Sequence, residues 1–301
     1  MSFRILNRED QQVYLGSGQV FGVQEVSASY QIPDVPLEFI GIRDIFPIPA
    51  GPILGQVNFS TLAIDTDPFI KCIQGGSFNG YILKDTGDIS DNYSFCSGYL
   101  TNYSNACTVG QIPTLNASFK IVGDLGKIAV GNFPADATNE LNKIREVPKQ
   151  SPNFNVTAAT NIEITLDDLS SNLVSNYNIS IEVPRKDYYI LGKRHAHRVE
   201  IDYPVVATID FSIEVNNYSG QSIQSYPCKQ KLKNIDLKLK NYKTNAVLTH
   251  FSFKNAVLVA ESYSVSTEEN VRMSAKYRCL ISQLDTQNFN LNTPELTTIT
   301  N

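Results

Sequence analysis

The chain's histidine cluster is Arg194-His195-Ala196-His197-Arg198. On a strand, His195 and His197 would share a face and could hold a transition metal. No cysteine or further histidine neighbours them, and the flanking arginines oppose a cation, so the cluster reads as a polar hairpin tip. Asp85, Asp88 and Asp91 bring three carboxylates together, but their spacing is not that of an EF-hand loop. The five cysteines, Cys72, Cys96, Cys107, Cys228 and Cys279, are scattered without a CxxC pair, the pattern of buried thiols in a reducing compartment. There is no Walker loop, no GxSxG, and no nucleophile with a recognisable base. The expectation is a protein that is not an enzyme and takes no cofactor and no metal.

Composition narrows the class. The chain has 301 residues, about two domains by size, and 42% hydrophobic content suffices for a core in each. Only 18% of residues are charged, with Asn, Ser, Thr, Gln and Tyr in their place. Such a surface suits a protein whose outside is covered by neighbours rather than held soluble by charge. Residues 1–150 carry 10 Lys+Arg against 15 Asp+Glu, and residues 151–301 carry 15 of each. Tight counterion-driven binding to nucleic acid is therefore not expected. No run of about 18 apolar residues is present, so membrane insertion by a helix is not expected either.

The elements that must position these residues are strands. Val247–Ile281 reads as an apolar strand, Ala256–Ala260, an alternating one, Tyr263–Ser266, a polar tip with Glu268 and Glu269, and a second alternating run, Met273–Ile281. Ala275, Tyr277, Cys279 and Ile281 share one face of that run; Ser274, Lys276 and Arg278 share the other. Residues 1–19 read as an arm, and VSASYQI (Val26–Ile32) as a strand. Asp44–Gly55 carries three prolines among Ile45, Phe46, Ile48, Ile53 and Leu54, the mark of an edge or loop that packs on a partner. A loop folded back on its own core fits that segment equally well. Gln56–Ile64 is a strand. Asp67 as N-cap, Pro68 at the first helical position and Gly75 past the end bound a short helix. Ser77–Ser94 reads as loop, Phe95–Val109 with Leu115–Val122 as a hairpin, and residues 131–160 as a linker. Leu237 and Leu239 alternate with Lys238 and Lys240, a strand with one charged face at a protected edge.

The second half repeats the first. Val26–Tyr30 precedes Val174–Tyr177 by 148 positions, Pro52–Ser60 precedes Pro204–Ser212 by 152, Leu100–Ser104 precedes Leu248–Ser252 by 148, and Phe119-Lys120 precedes Tyr277-Arg278 by 158. Four matches in order suggest a duplicated β module. Two β domains sharing only a period of two are the alternative.

An opening strand followed by prolines, a long extended hairpin, a short helix and a closing hairpin such as Leu258–Leu280 make residues 20–125 and 161–285 resemble the tail tube proteins of bacteriophages. The second half has no clean counterpart of the Asp67–Gly75 helix; GQSIQSYPCKQKLK stands in its place. The resemblance implies a mainly β fold of two tandem β-sandwich or half-barrel modules, each with at most a short flanking helix. The domains would be an arm (1–19), a first module (20–130), a linker (131–160), a second module (161–286) and a tail (287–301). It further implies self-association into rings, trimeric with pseudo-sixfold symmetry, stacked into a tube of the virion tail and assembled in the host cytoplasm. Tape-measure, terminator and baseplate proteins would be the partners, with DNA passing transiently; a sheath stays an open question. Six modules of four strands each, spaced about 4.8 Å and tilted about 40°, close at a backbone diameter of roughly 48 Å, wide enough for duplex DNA. Asn58, Ser60, Asp210, Ser212 and Glu214, on the wet faces of two matching strands, are candidate lumen residues. Ile45, Phe46, Ile48, His195, His197, Glu268 and Glu269 are candidate contacts between subunits or rings. Another tail, baseplate or capsid adaptor, and a carbohydrate-binding β protein lacking Trp, are the alternatives.

Overall fold

The computed structural model describes residues 11–16, 18–37, 46–49, 54–64, 67–84, 92–127, 157–166, 169–171, 174–193, 195–214, 232–265, 272–282 and 289–292. The chain is mainly β, as the alternating pattern implies. The first half contains β1 (Gln11–Leu15), β2 (Gly18–Val20), β3 (Val23–Gln31), β4 (Asp34–Leu37), β5 (Phe46–Pro49), β6 (Leu54–Leu62), α1 (Ile70–Gln74), β7 (Phe78–Lys84), β8 (Tyr93–Thr108), β9 (Thr114–Ile121) and β10 (Leu125–Lys127). The second contains β11 (Thr157–Leu166), β12 (Leu169–Ser171), β13 (Val174–Glu182), β14 (Arg185–Tyr188), β15 (Arg198–Ile201), β16 (Val205–Glu214), β17 (Lys233–Asn241), β18 (Val247–Ser264), β19 (Arg272–Ile281) and β20 (Phe289–Asn292).

Eight strands pair in one continuous antiparallel run, β3-β6-β9-β8-β13-β16-β19-β18. Two of them are too long for it and bend away. The first part of β8 pairs with β7, which continues to β1 and β2, while the first part of β18 pairs with β17, which continues to β11 and β12. Each bend carries a non-glycine residue in the left-handed region, Ser97 (φ 54°) in β8 and Asn255 (φ 58°) in β18. That conformation costs little for a short polar side chain and lets a strand change sheets. An asparagine from the neighbouring strand holds each bend: Asn79 Oδ1 accepts the Ser97 N–H at 3.2 Å, and Asn234 Oδ1 accepts the Asn255 N–H at 3.4 Å.

The two halves follow one pairing scheme. Ala28 lies opposite Val57, and Val57 opposite Phe119; Ile179 lies opposite Ile209, and Ile209 opposite Tyr277. The offsets are 151, 152 and 158 positions. Gly80 opposite Phe95 corresponds to Ile235 opposite Phe253, at 155 and 158. Irregularities coincide as well: Val23/Glu25 with Val174/Asn176, Phe78/Gly80 with Lys233/Ile235, and Leu100/Asn102 with Leu258/Ala260. These registers correct two of the sequence matches. Val26 corresponds to Tyr177 rather than Val174, and Leu100 to Leu258 rather than Leu248, because added residues accumulate in the connections and shift the offset.

Other expectations change too. Residues 11–15 are not an arm: β1 lies in the sheet, with Val13, Tyr14 and Leu15 buried. Residues 289–292 of the expected tail pair with β18. Residues 157–160 of the expected linker belong to β11, while 131–156 lie outside the described residues. Of the described residues in Ser77–Ser94, Phe78–Lys84 and Tyr93–Ser94 are strand; the aspartates Asp85, Asp88 and Asp91 lie outside the described residues, as do Cys228 and most of GQSIQSYPCKQKLK. The lysine-bearing β17 is not an edge, since it sits between β11 and β18. Two of its polar groups are paired across the strands, Lys240 with Glu163 at 2.6 Å and Asp236 with His250 at 2.9 Å. The helix α1 begins at Ile70, after Phe69, and ends at Gly75 as expected. Asp67 accepts the Phe69 N–H at 2.9 Å but is otherwise turned into the core.

The core of the first half is aromatic: Phe59 and Phe119 each lie 5.6 to 6.2 Å, ring to ring, from one another and from both Phe69 and Phe95. Gly80 and Gly98 make room for Phe95, whose ring would lie 2.1 Å and 2.6 Å from a Cβ at those positions. Packed rings cannot step aside, so Gly80→Ala should lower stability by about 3 kcal/mol, read as a drop in the denaturant midpoint. A loss below about 0.5 kcal/mol, within the range of an unremarkable surface change, would show that the ring has space to move.

Candidate assembly surface

Side chains alternate across the eight-stranded run, so each of the six inner strands sends one set toward the core and the other to the outer face, whereas β3 and Val257–Ser264 of β18, at the two ends, bury neither set. The core set includes Val57, Phe59, Tyr103, Ala117, Phe119, Tyr177, Ile179, Ala207, Ile209, Phe211, Ala275 and Tyr277, all buried. The wet set is a hydroxyl and amide wall. One cross-strand row reads Glu25, Ser60, Asn116, Ser104, Ser180, Thr208, Arg278. Side chains bond across strands in this row and its neighbours: Asn116 to Ser104 at 3.3 Å, Asn58 to Ser27 at 3.4 Å, Ser212 with Ser274 at 2.7 Å. Four acids, Glu25, Glu182, Asp210 and Glu214, share the face with four bases, Lys120, Arg272, Lys276 and Arg278. Lys276 lies 3.7 Å from Asp210, and Glu214 lies opposite Arg272. Balanced charge of this kind offers no fixed cationic track for a polyphosphate backbone.

The sequence-predicted residues Asn58, Ser60, Asp210, Ser212 and Glu214 all fall on this one face, on β6 and β16; Ser212 is buried there beside Ser274, and the other four are half-buried. Of the predicted contact residues, Ile45, Glu268 and Glu269 lie outside the described residues, and Phe46 and Ile48 lie in β5, opposite Leu37 and Val35 of β4. His195 sits within the chain against Asp124, Nε2 to Oδ1 3.7 Å, and His197 lies 3.5 Å from Lys193. The two histidines therefore have separate partners and do not converge.

The β14–β15 hairpin carries that histidine segment and folds onto the first half. Arg185 donates from Nε to the Leu100 carbonyl at 2.9 Å and lies over the Tyr99 ring, while Asp187 pairs with Lys120. Its tip is apolar and open, with Ile190 47% and Leu191 102% exposed. Sequence reading missed this tip because it placed weight on the histidines beside it.

Beneath the wall, a buried polar chain crosses from one half to the other. Tyr177 on β13 donates to Asn105 Oδ1 at 2.8 Å, Asn105 Nδ2 donates to the Tyr103 hydroxyl at 3.4 Å, and Tyr103 donates to Asp67 at 2.5 Å. Burial raises the Asp67 carboxyl to about 6, partly offset by the Tyr103 hydroxyl and the Phe69 and Ile70 amides. Burial and the nearby Asp67 charge raise Tyr103 as well. This group is a structural tie at the junction of β8 and β13. Only the N-cap motif hinted at Asp67; the tyrosines gave no local signal.

The two ends of the run are open. Among the described residues, β3 pairs with β6 alone, and Val257–Ser264 of β18 with β19 alone. Both edges carry exposed side chains: Tyr30 61%, Val259 56%, Tyr263 42% and Val265 74%.

No family model matches the chain, and no curated protein matches it. Solved structures similar to it include the tube-terminating cap of the anti-feeding prophage, at 16% identity and a TM-score of 0.35, covering 50% of this chain and 96% of that one. The baseplate of the same particle, symmetrised sixfold, gives a chain at 12% identity and a TM-score of 0.29, covering 45% and 93%. Likeness at this level assigns no function to the chain.

Proposed function

We propose that the protein is a structural, non-enzymatic subunit of a phage-type tail, in which copies close into rings around a channel and the rings stack into a tube. The observation that carries this reading is the eight-stranded run in which two halves share one pairing scheme and present one neutral, polar face. A duplicated module joined edge to edge with its own copy is a building block for a ring with twice as many modules as chains. Three chains supply about 24 strands, which at ordinary spacing and tilt close at a backbone diameter of roughly 48 Å. The channel wall is then the hydroxyl and amide face bearing Asn58, Ser60, Asp210, Ser212 and Glu214, across which DNA passes without being held. The exposed Ile190–Leu191 tip is suited to contact a neighbouring ring. Tape-measure, terminator and baseplate proteins, a sheath if one is present, and residence in the virion belong to the same reading.

Negative-stain microscopy of the purified protein at high concentration tests it. Hollow tubes or stacked rings with threefold symmetry and a central hole are the expected result. A closed small oligomer without a lumen would sink the tube reading and point to an adaptor in the tail or baseplate instead.

A further inference from the structure

The chain already contains one copy of the joint that a ring would need. Where the two halves meet, β8 pairs with β13 in a defined register: Asn102 opposite Glu182, Tyr103 opposite Ile181, Ser104 opposite Ser180, Asn105 opposite Ile179, Ala106 opposite Asn178 and Cys107 opposite Tyr177. The shared pairing scheme carries each side of this joint to a free edge. Adding 158 takes the β8 residues to Ala260–Ser264 of β18 and to Val265 just after it, and subtracting 151 takes the β13 residues to Val26–Gln31 of β3. Both target edges lack a partner strand among the described residues.

We infer that a second copy of this chain pairs its β3 with β18 of the first, antiparallel, in one register: Ala260 opposite Gln31, Glu261 opposite Tyr30, Ser262 opposite Ser29, Tyr263 opposite Ala28, Ser264 opposite Ser27 and Val265 opposite Val26. This rests on the ring reading and specifies its contact.

The side-chain types agree with that register. Val26 and Ala28 lie opposite Phe59 and Val57, so they belong to the core side; Tyr263 lies opposite Met273, so it does too. Ser27 and Ser29 share the wet face with Asn58 and Gln56, and Ser262 and Ser264 share it with Ser274 and Arg272. In the inferred register Val265 meets Val26 and Tyr263 meets Ala28 on the core side, where Glu261 also comes opposite the amphipathic Tyr30, while serine meets serine on the wall. A slip of one residue would set every one of these pairs on opposite faces. The joint also covers Tyr30, Tyr263 and Val265, which a lone chain leaves in water. Because the two surfaces differ, the contact is head to tail, and it ends only when the ring closes.

Paired cysteines test the register. Residues directly opposite on neighbouring strands lie within disulfide reach, and residues two steps away do not. Ser29→Cys with Ser262→Cys in one chain should give, on mild oxidation, covalent oligomers that stop at the ring number, with single variants giving dimers at most. The pair displaced by two residues, Ser27→Cys with Ser262→Cys, should cross-link at least about tenfold less. Ser104→Cys with Ser180→Cys samples the internal joint and should close within the chain, showing that the geometry permits the bond. Rings under the microscope with no preference for the Ser29/Ser262 pair would overturn the register while leaving the ring reading intact. Neither rings nor cross-linked oligomers at high concentration would overturn both.

Discussion

Phe119→Ala is expected to lower the unfolding free energy by about 4 kcal/mol, at the upper part of the range for a buried phenylalanine. Phe119 is fully buried on β9 and meets three rings: Phe59 edge-on at 5.6 Å, Phe95 at 6.1 Å and Phe69 at 6.2 Å. Those rings come from β6, β8 and the residue preceding α1, so one side chain joins the central strand of the first half to the strands on either side and to the helix. Truncation removes the transfer free energy of the ring and leaves a cavity that rigid neighbours cannot fill. Phe119→Leu, which keeps most of the volume, should cost only about 1 kcal/mol. Urea unfolding with an unchanged slope checks both values. Equal losses for alanine and leucine would mean that the site depends on ring geometry rather than on filled volume. The loss also reaches the polar wall, because β6 and β9 carry part of it on their other face.

Stability is expected to fall as pH rises from about 4 to about 6, and Asp67→Asn is expected to remove most of that slope. The folded Asp67 carboxyl is raised to about 6 by burial, above its ordinary value. A raised acid favours folding most when protonated in both states, and that advantage is lost as pH climbs through the folded value. A rise of about two units corresponds to roughly 3 kcal/mol across the window. Asparagine keeps its Oδ1 as acceptor for the Phe69 amide and turns an Nδ2–H toward the Tyr103 oxygen, which can accept it; it does not titrate, so the variant should hold a flatter profile. Thermal or urea midpoints at half-unit pH intervals give the comparison; parallel curves for the two proteins would place the titration elsewhere. Since Tyr103, Asn105 and Tyr177 link Asp67 to β13, the charge is felt at the junction between the halves.

Alternation made much of this legible in advance. Ile209, Phe211 and Ile213 against Asp210, Ser212 and Glu214 could be sorted into core and wall from the sequence, because a strand turns successive side chains to opposite faces whatever its neighbours are. Gly75 marked the helix end for a similarly local reason. The repeat was detectable but misaligned at two of four blocks, since short matches such as Leu100–Ser104 with Leu248–Ser252 cannot reveal how many residues the intervening connections have gained.

What the sequence determined by itself, then, was the class of structure, the faces of the strands and a polar outside without a cationic track. The tertiary structure decided which strands are neighbours. β17 looked like an edge and is interior, β1 looked like an arm and is paired, and β8 joins β13 across more than seventy positions of chain, as Tyr177 to Asn105 illustrates. Pairing satisfies backbone groups that every residue carries, so it leaves little trace in side-chain type. The bends at Ser97 and Asn255, the asparagines that hold them and the two edges left open among the described residues follow from that pairing, and the proposed assembly contact follows from the edges.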